Sequence, residues 1–163
     1  MNKIIKLPYF HQRTDHTCGP ACLKMIFAFF GLKLSEKKIV ELTKTNFAGT
    51  NHAPIIKTAR KEGFYCYVHD NSTINQIKHF IELDLPIIIN YIEPSDNEGH
   101  YAIIVGYKKN SLVFDDPWNG RNFILPNKKF EKRWRDSKNK YKKWILVLSK
   151  NKFSIGKQYN PLK

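Results

Sequence analysis

The chain has 163 residues and a mass of 19.2 kDa, which fits one domain with its own core. Apolar residues make up 42% and charged residues 26%, a balance that excludes a disordered chain. The formal net charge is +14, and residues 121–163 supply most of it, with 14 basic and 2 acidic side chains.

The N-terminus and the cysteines indicate the cellular compartment. The first eight residues, Met-Asn-Lys-Ile-Ile-Lys-Leu-Pro, lack the apolar stretch of a signal peptide, and no apolar run approaches the roughly 20 residues of a membrane span. The three cysteines, Cys18, Cys22 and Cys66, fit neither a disulfide framework nor a zinc site of four thiolates. Reduced thiols are the simplest interpretation, so we expect a cytoplasmic protein without a membrane span.

The first half of the sequence predicts four helices. The first covers residues 18–30, where apolar side chains recur at helical spacing, and Gly31 ends it. Polar residues that favour helix N-caps precede the other three: Ser35, then Thr50 or Asn51, then Ser72 or Thr73.

The second half predicts strands, because short β-branched or aromatic runs alternate there with turn residues. These runs are Pro86–Tyr91, His100–Tyr107, Leu112–Asp115, Phe123–Leu125 and Trp144–Leu148. Helices followed by strands predict an α+β fold, with N-terminal helices packed on a C-terminal antiparallel sheet. We expect the domain to occupy residues 1–149 and a basic tail to occupy residues 150–163, ordered only where it docks on the sheet.

Cys18 is the candidate nucleophile. It lies in the segment Thr17-Cys18-Gly19-Pro20-Ala21-Cys22, where a proline is typical of the first turn of a helix. A thiol there feels the positive end of the helix dipole and unpaired backbone N–H groups, and both favour the thiolate. Cys22 and Cys66 are interpreted as buried core residues.

A thiolate nucleophile needs a base, and the base needs an orienting group. Among six histidines, His100 is best placed because it opens the apolar strand 101–105. A hairpin turn near Lys109 makes the numbers of opposing strand residues sum to about 216–219. An even sum places Asp116 on the face of His100, whereas an odd sum places Asp115 there. The turn alone leaves both aspartates open.

Two further side chains are candidates for the same site. Gln12 precedes Cys18 by six residues, and a side-chain amide beside a nucleophile can donate to the oxyanion of an acyl-transfer intermediate. Trp118 comes just after the aspartates, where it either covers the histidine or anchors the core.

These motifs together resemble the C39-type cysteine peptidases, papain-like domains best known as the leader-cleaving part of bacteriocin exporters. The resemblance rests on Gln12-(x5)-Cys18-Gly19-Pro20-Ala21-Cys22, on Gly99-His100-Tyr101-Ala102-Ile103-Ile104-Val105-Gly106 and on Asp116-Pro117-(x2)-Gly120. It implies that Cys18 is the nucleophile and His100 the general base and acid. It also implies Asp116, rather than Asp115, as the orienting residue and Gln12 as the oxyanion-hole donor. The expected substrate is a peptide or protein, and no cofactor is expected.

The sequence departs from the exporter pattern in two respects. It has no membrane span and no Gly-x-x-x-x-Gly-Lys-Ser/Thr motif, so no ATPase domain is expected in this chain and the resemblance is to stand-alone C39-like proteins. Residues 16–17 are His-Thr, where exporter domains tend to have an acidic residue before the cysteine. Cleavage after Gly-Gly is therefore not implied.

Two other functions compete with peptidase activity. A non-catalytic module would bind a peptide, or an anionic partner such as nucleic acid, through the basic C-terminal quarter, where aromatic residues interleave with the lysines of residues 128–143. A metal site would use Cys18 and Cys22 with His11 or His16, although this set lacks a convincing fourth ligand.

Overall fold

A computed structural model describes residues 2–154 and 156–163 of the chain. The described residues form five helices: α1 (Cys18–Phe29), α2 (Glu36–Thr43), α3 (His52–Lys61), α4 (Ile74–Glu82) and α5 (Asn127–Arg133). They also form eight strands: β1 (Lys3–Ile4), β2 (Tyr65–His69), β3 (Ile87–Ile92), β4 (Gly99–Lys108), β5 (Ser111–Asp116), β6 (Gly120–Pro126), β7 (Ile145–Ser149) and β8 (Gln158–Tyr159).

The strands make one sheet in the order β6-β5-β4-β3-β7-β2-β8, with β1 paired to β4, and every pairing is antiparallel. The longest strand, β4, has 10 residues and lies between β3 and β5. The α+β architecture predicted from the order of the elements is confirmed.

The helices form where the sequence supplies caps and an apolar face. Ser35 accepts a hydrogen bond from the Lys38 N–H at the start of α2, and Thr73 and Gln76 form a capping box at the start of α4. In α1, nine of the twelve residues are buried, so this helix forms the centre of the core between the helices and the sheet. Among the described residues, no helix is long and apolar enough to cross a membrane.

Four elements were missed by sequence reasoning. Strand β2 was missed because the segment around His69 was interpreted as a polar turn. Strands β1 and β8 have two residues each, too few to show an alternating hydrophobic pattern. The tail docks on the sheet through β8, which pairs with β2. The basic segment contains α5, which directs Phe130 into the core.

A β-bulge in β4 shifts the register of the β4–β5 hairpin. From the turn to the pair Gly106 and Val113, the numbers of paired residues sum to 219. From the pair Ile104 and Phe114 toward the start of β4, they sum to 218. One unpaired residue, Val105, accounts for the shift, as expected for a bulge. The shift changes which side chains of β5 face those at the start of β4.

Next to the bulge, β1 approaches β4 so closely that only glycine fits. A Cβ atom at Gly106 would lie 2.9 Å from the Ile4 Cα and closer still to the Lys3 carbonyl oxygen. We therefore expect Gly106→Ala to lower the free energy of unfolding by about 1–3 kcal/mol, because backbone must move to admit the methyl group.

Urea denaturation followed by circular dichroism measures this loss. Ser111→Ala, next to the turn of the same hairpin, is the matched control and should change stability by less than about 0.5 kcal/mol. Equal stabilities of the two variants would contradict the close approach of β1.

Candidate active site

Cys18 is the first residue of α1 and is almost fully buried. Its sulfur accepts a hydrogen bond from the backbone N–H of Tyr101 at 3.5 Å, which brings the helix start against the start of β4. Gly19 lets the start of α1 pack closely against the start of α3, since a Cβ there would lie 3.1 Å from the Thr50 Oγ1 and 3.3 Å from the Ile55 Cδ1. The backbone N–H groups at the start of α1 have no helical acceptor.

His100 and Asp116 form a buried pair beside Cys18. The His100 Nε2 lies 2.7 Å from the Asp116 Oδ1, and both side chains are almost completely inaccessible to solvent. This contact occupies Nε2, so Nδ1 is the ring nitrogen left for Cys18. His100 is the second residue of β4 and so lies at the end of the sheet.

Several donors fix the Asp116 carboxylate. Besides His100, Oδ1 accepts the backbone N–H groups of Trp118 and Asn119, each at 2.9 Å. The other oxygen, Oδ2, accepts the Tyr91 hydroxyl at 2.5 Å and the Asn119 amide at 3.3 Å. A buried carboxylate with this many donors stays ionised.

The two partners shift each other's protonation. Burial alone would lower the pKa of His100, but the hydrogen bond to Asp116, the nearby Cys18 thiol and the Asp116 charge outweigh it and raise that pKa to about 10. Burial likewise raises the pKa of Asp116, yet the His100, Tyr91 and Asn119 contacts bring it below the ordinary value. The pair therefore favours imidazolium and carboxylate at neutral pH.

The bulge decides which aspartate faces His100. With the odd sum of the turn region, Asp115 would share the face of His100, but the even sum beyond the bulge places Asp116 there instead. Asp115 is also buried, and its Oδ1 accepts the backbone N–H of Asn122.

Gln12 is buried at the edge of the same site. Its backbone N–H donates to the Pro117 carbonyl at 3.0 Å, which links the N-terminal segment to the turn after Asp116. Its Nε2 donates to the Thr14 carbonyl at 2.7 Å, and Oε1 has no hydrogen-bond partner within residues 2–154 and 156–163. One Nε2 hydrogen and a buried oxygen thus remain unused beside the cleft.

An open cleft leads to these residues. Its lining includes Gln12, Gly99, His100 and Trp118 together with the acidic residues Asp15, Glu93, Asp96 and Glu98. Trp118 is 41% exposed, and its ring centroid lies 5.9 Å from that of His11. Trp118 is therefore a wall of the cleft and not a core anchor.

Sequence reasoning missed a half-buried polar group at the start of α3, which contacts Tyr101. The His52 Nδ1 lies 2.5 Å from the hydroxyl of Tyr101, which donates to the Thr50 carbonyl. The His52 ring stacks on Trp144 with centroids 3.9 Å apart. Burial lowers the pKa of His52 to about 4, although Asp136 opposes this, so the ring is neutral. No sequence pattern links these distant residues.

The other predicted residues lie elsewhere. Cys22 and Cys66 are fully buried, and burial raises the pKa of Cys22 well above the ordinary value and that of Cys66 to about 12. Within the described part of the chain, no three His, Cys, Asp or Glu side chains are grouped as metal ligands. The proposed set of Cys18, Cys22 and His11 or His16 is not brought together.

The aromatic residues of the basic segment do not form a nucleic-acid platform. Phe130, Trp134 and Trp144 are buried in the core, and Tyr141 is half-buried against His52. Stacking with bases requires exposed rings. The segment therefore presents charge to solvent without a surface for stacking.

Helices packed on an antiparallel sheet, with a cysteine at a helix start beside a histidine on a strand, define a papain-like cysteine peptidase. The model of the peptidase C39 family matches residues 6–150. The chain therefore belongs to the peptidase C39 family of cysteine peptidases, and the resemblance seen in the sequence is confirmed.

Known proteins agree with this assignment. The mesentericin-Y105 transport/processing ATP-binding protein MesD of Leuconostoc mesenteroides is 27% identical over an alignment that covers 93% of this chain and 24% of MesD. The peptidase domain of Streptococcus ComA, a bifunctional ABC transporter involved in quorum sensing, superposes with a TM-score of 0.74 at 24% identity, covering 90% of this chain and 99% of that domain. A double-glycine motif protease from an AMS/PCAT transporter, solved with its leader peptide, gives 0.72 at 20% identity, covering 90% and 93%.

These comparisons differ in what they support. The two solved structures establish the fold. The chain spans about a quarter of the length of MesD, so the activities of whole transporters are not attributes of this chain.

The pKa values of two histidines should be shifted in opposite directions from the ordinary value. We expect the His100 ring to stay protonated up to pH about 10 and the His52 ring to stay neutral down to pH about 4, whereas an ordinary histidine titrates near about 6.5. Nuclear magnetic resonance of the ring carbons, assigned with His100→Gln and His52→Gln, measures both. If His100 titrates near 6.5, the buried ion pair is contradicted.

Proposed function

We propose that the chain is a peptidase that hydrolyses a peptide bond through a Cys18 thiolate, with His100 as general base and acid. The observation that carries this proposal is the position of His100, which bonds Asp116 through Nε2 at 2.7 Å while its other nitrogen is left for Cys18. Asp116 orients the imidazole and stabilises its protonated form.

The first half-reaction forms an acyl-enzyme. In the resting site the Cys18 proton already lies on His100 Nδ1, as thiolate and imidazolium, and the Tyr101 N–H and the start of α1 stabilise the thiolate. The sulfur attacks the carbonyl carbon of the scissile bond, and His100 then protonates the departing amine. A thioester to Cys18 and a free amine product result.

The second half-reaction releases the acyl group. His100, neutral after giving up its proton, takes a proton from water, and the resulting hydroxide equivalent attacks the thioester carbonyl. Collapse of the tetrahedral intermediate expels the Cys18 thiolate, and the carboxylic acid product leaves. The proton on His100 restores the resting ion pair.

The oxyanion of each tetrahedral intermediate needs donors close to Cys18. The backbone N–H of Cys18 is one, because it lies in the first turn of α1. The unused Nε2 hydrogen of Gln12 is the other: the Pro117 contact anchors the Gln12 backbone, and the Thr14 contact holds its side-chain amide.

The proposed substrate is a peptide that enters the cleft between Trp118 and the acidic loop. One of the similar structures is a double-glycine motif protease in complex with a leader peptide. A peptide with a central Gly-Gly is therefore the probe of choice. The same peptide with Ala-Ala tests whether small residues are required at the scissile bond.

Cys18→Ala should abolish cleavage of this probe, and His100→Ala should reduce kcat/KM by roughly 10⁴-fold, because members of such a set act as a unit. His79→Ala is the matched control, since His79 lies exposed on α4 and should leave the rate unchanged. Mass spectrometry of the products measures the rates, and circular dichroism checks folding. Cleavage by folded Cys18→Ala at the wild-type rate would refute the nucleophile.

Gln12→Ala tests the oxyanion donor separately. We expect kcat to fall by about 10²–10³-fold with little change in KM, because the lost hydrogen bond forms mainly in the transition state. Steady-state kinetics with the same probe separates the two constants. A variant that raises KM alone would place Gln12 in substrate binding instead.

A further inference from the structure

The Asp116 carboxylate has a buried hydroxyl donor on the side away from His100. Tyr91 donates to Oδ2 at 2.5 Å, whereas the His100 contact is to Oδ1. Tyr91 has no solvent-accessible surface. Tyr91 and His100, on neighbouring strands, therefore each hydrogen-bond to a different oxygen of the Asp116 carboxylate.

The strand register explains why Tyr91 reaches this position. Tyr91 of β3 lies directly opposite His100 of β4, so both side chains project from the same face of the sheet. The Tyr91 ring stacks on Phe114 with centroids 5.8 Å apart and packs against Phe130 of α5 at 6.2 Å. These apolar neighbours surround the ring, while the hydroxyl at its polar end donates to Asp116.

We propose that Tyr91 is a positioning residue, whose hydroxyl keeps the Asp116 carboxylate ionised and oriented so that His100 faces Cys18. The proposal rests on the proposed function for the part played by His100. Tyr91 touches Asp116 and not the substrate, so it acts through the orienting residue. Helix α5 contributes by sealing the ring of Tyr91 with Phe130.

The surroundings of Asp116 make this donor important. Besides His100, each element packed around the carboxylate contributes titratable groups near Asp116 or its neighbours. They are Tyr9 of the N-terminal segment, Cys18 and Cys22 of α1, Glu93 after β3, Asp115 of β5, and Arg121 beside Asp115. Glu93 adds negative charge nearby, because the Asn119 amide contacts both carboxylates. His100 is the single cation in contact with Asp116 among the described residues.

The hydroxyl of Tyr91 remains protonated at every pH of interest. Burial, followed by the charge of Asp116, raises its pKa far above the ordinary value. The hydrogen bond in turn favours the ionised form of Asp116 and so lowers the pKa of that carboxyl. Ionised Asp116 is lost as pH falls through its pKa, so losing the Tyr91 hydroxyl should move this loss to higher pH.

Tyr91→Phe removes only the hydroxyl. We expect kcat/KM for the Gly-Gly peptide to fall by about tenfold, because a hydrogen bond to a charged group is lost without a water to replace it. The acid limb of the pH–rate profile should shift upward by about one pH unit. Carbon-13 resonance of the Asp116 carboxyl, assigned with Asp116→Asn, follows the same ionisation without requiring turnover.

Two other tyrosines supply matched controls. Tyr9→Phe removes a hydroxyl that donates to the backbone carbonyl of Asp116 at 2.7 Å, so the carboxyl titration should stay in place. Tyr67→Phe, a largely buried side chain of β2, reports the general effect of losing a tyrosine hydroxyl away from the site. Replacing Tyr91 by 3-fluorotyrosine keeps its shape and strengthens the donor, so the acid limb should move to lower pH even if Tyr91→Phe folds poorly.

The outcomes separate the two proposals. Opposite shifts in Tyr91→Phe and the fluorotyrosine protein, absent from both controls, support the positioning role. If the Asp116 carboxyl titrates at the wild-type pH in both proteins, Tyr91 is a packing residue and the inference is wrong. A wild-type protein that cleaves no peptide would contradict the proposed function, while the carboxyl titration would still decide what Tyr91 does.

Discussion

The site depends on a single buried anion, the Asp116 carboxylate. A carboxylate without solvent is costly unless hydrogen bonds and a cation surround it. Here the donors come from β3, β4 and the turn after β5, namely Tyr91, His100, Trp118 and Asn119. Satisfying this charge therefore fixes the relative positions of three parts of the chain, and His100 is oriented as a consequence.

One unpaired residue in β4 determines which of two neighbouring aspartates faces His100. The β-bulge at Val105 changes the β4–β5 register sum from 219 to 218 and so turns Asp116, rather than Asp115, toward His100. Gly106 beside the bulge also admits β1 against β4. Backbone irregularity thus aims a side chain, as is common near active sites.

The sequence predicted what depends on local pattern. Helical spacing and caps located α1, α2, α3 and α4, and the cysteine at a helix start indicated Cys18 as the candidate nucleophile. The choice between Asp115 and Asp116 required a bulge that no hairpin rule reveals, and only the family resemblance selected Asp116. The contacts of Tyr91 and His52 were missed because they join residues 25 to 49 positions apart. The aromatic residues of the basic C-terminal quarter suggested a binding surface for nucleic acid, whereas most of them are buried in the core.

The most direct test is the rate of Cys18 alkylation by iodoacetamide from pH 4 to 9, resolved by mass spectrometry, in the wild type and in His100→Ala. The account predicts that Cys18 reacts rapidly at pH 6, well below the pKa of about 8.5 of an ordinary thiol, and that this advantage disappears in His100→Ala. Cys22 and Cys66, buried in the same protein, are internal references and should stay unmodified. If Cys18 reacts no faster than an ordinary thiol, and equally in both proteins, the nucleophile–base pair is contradicted.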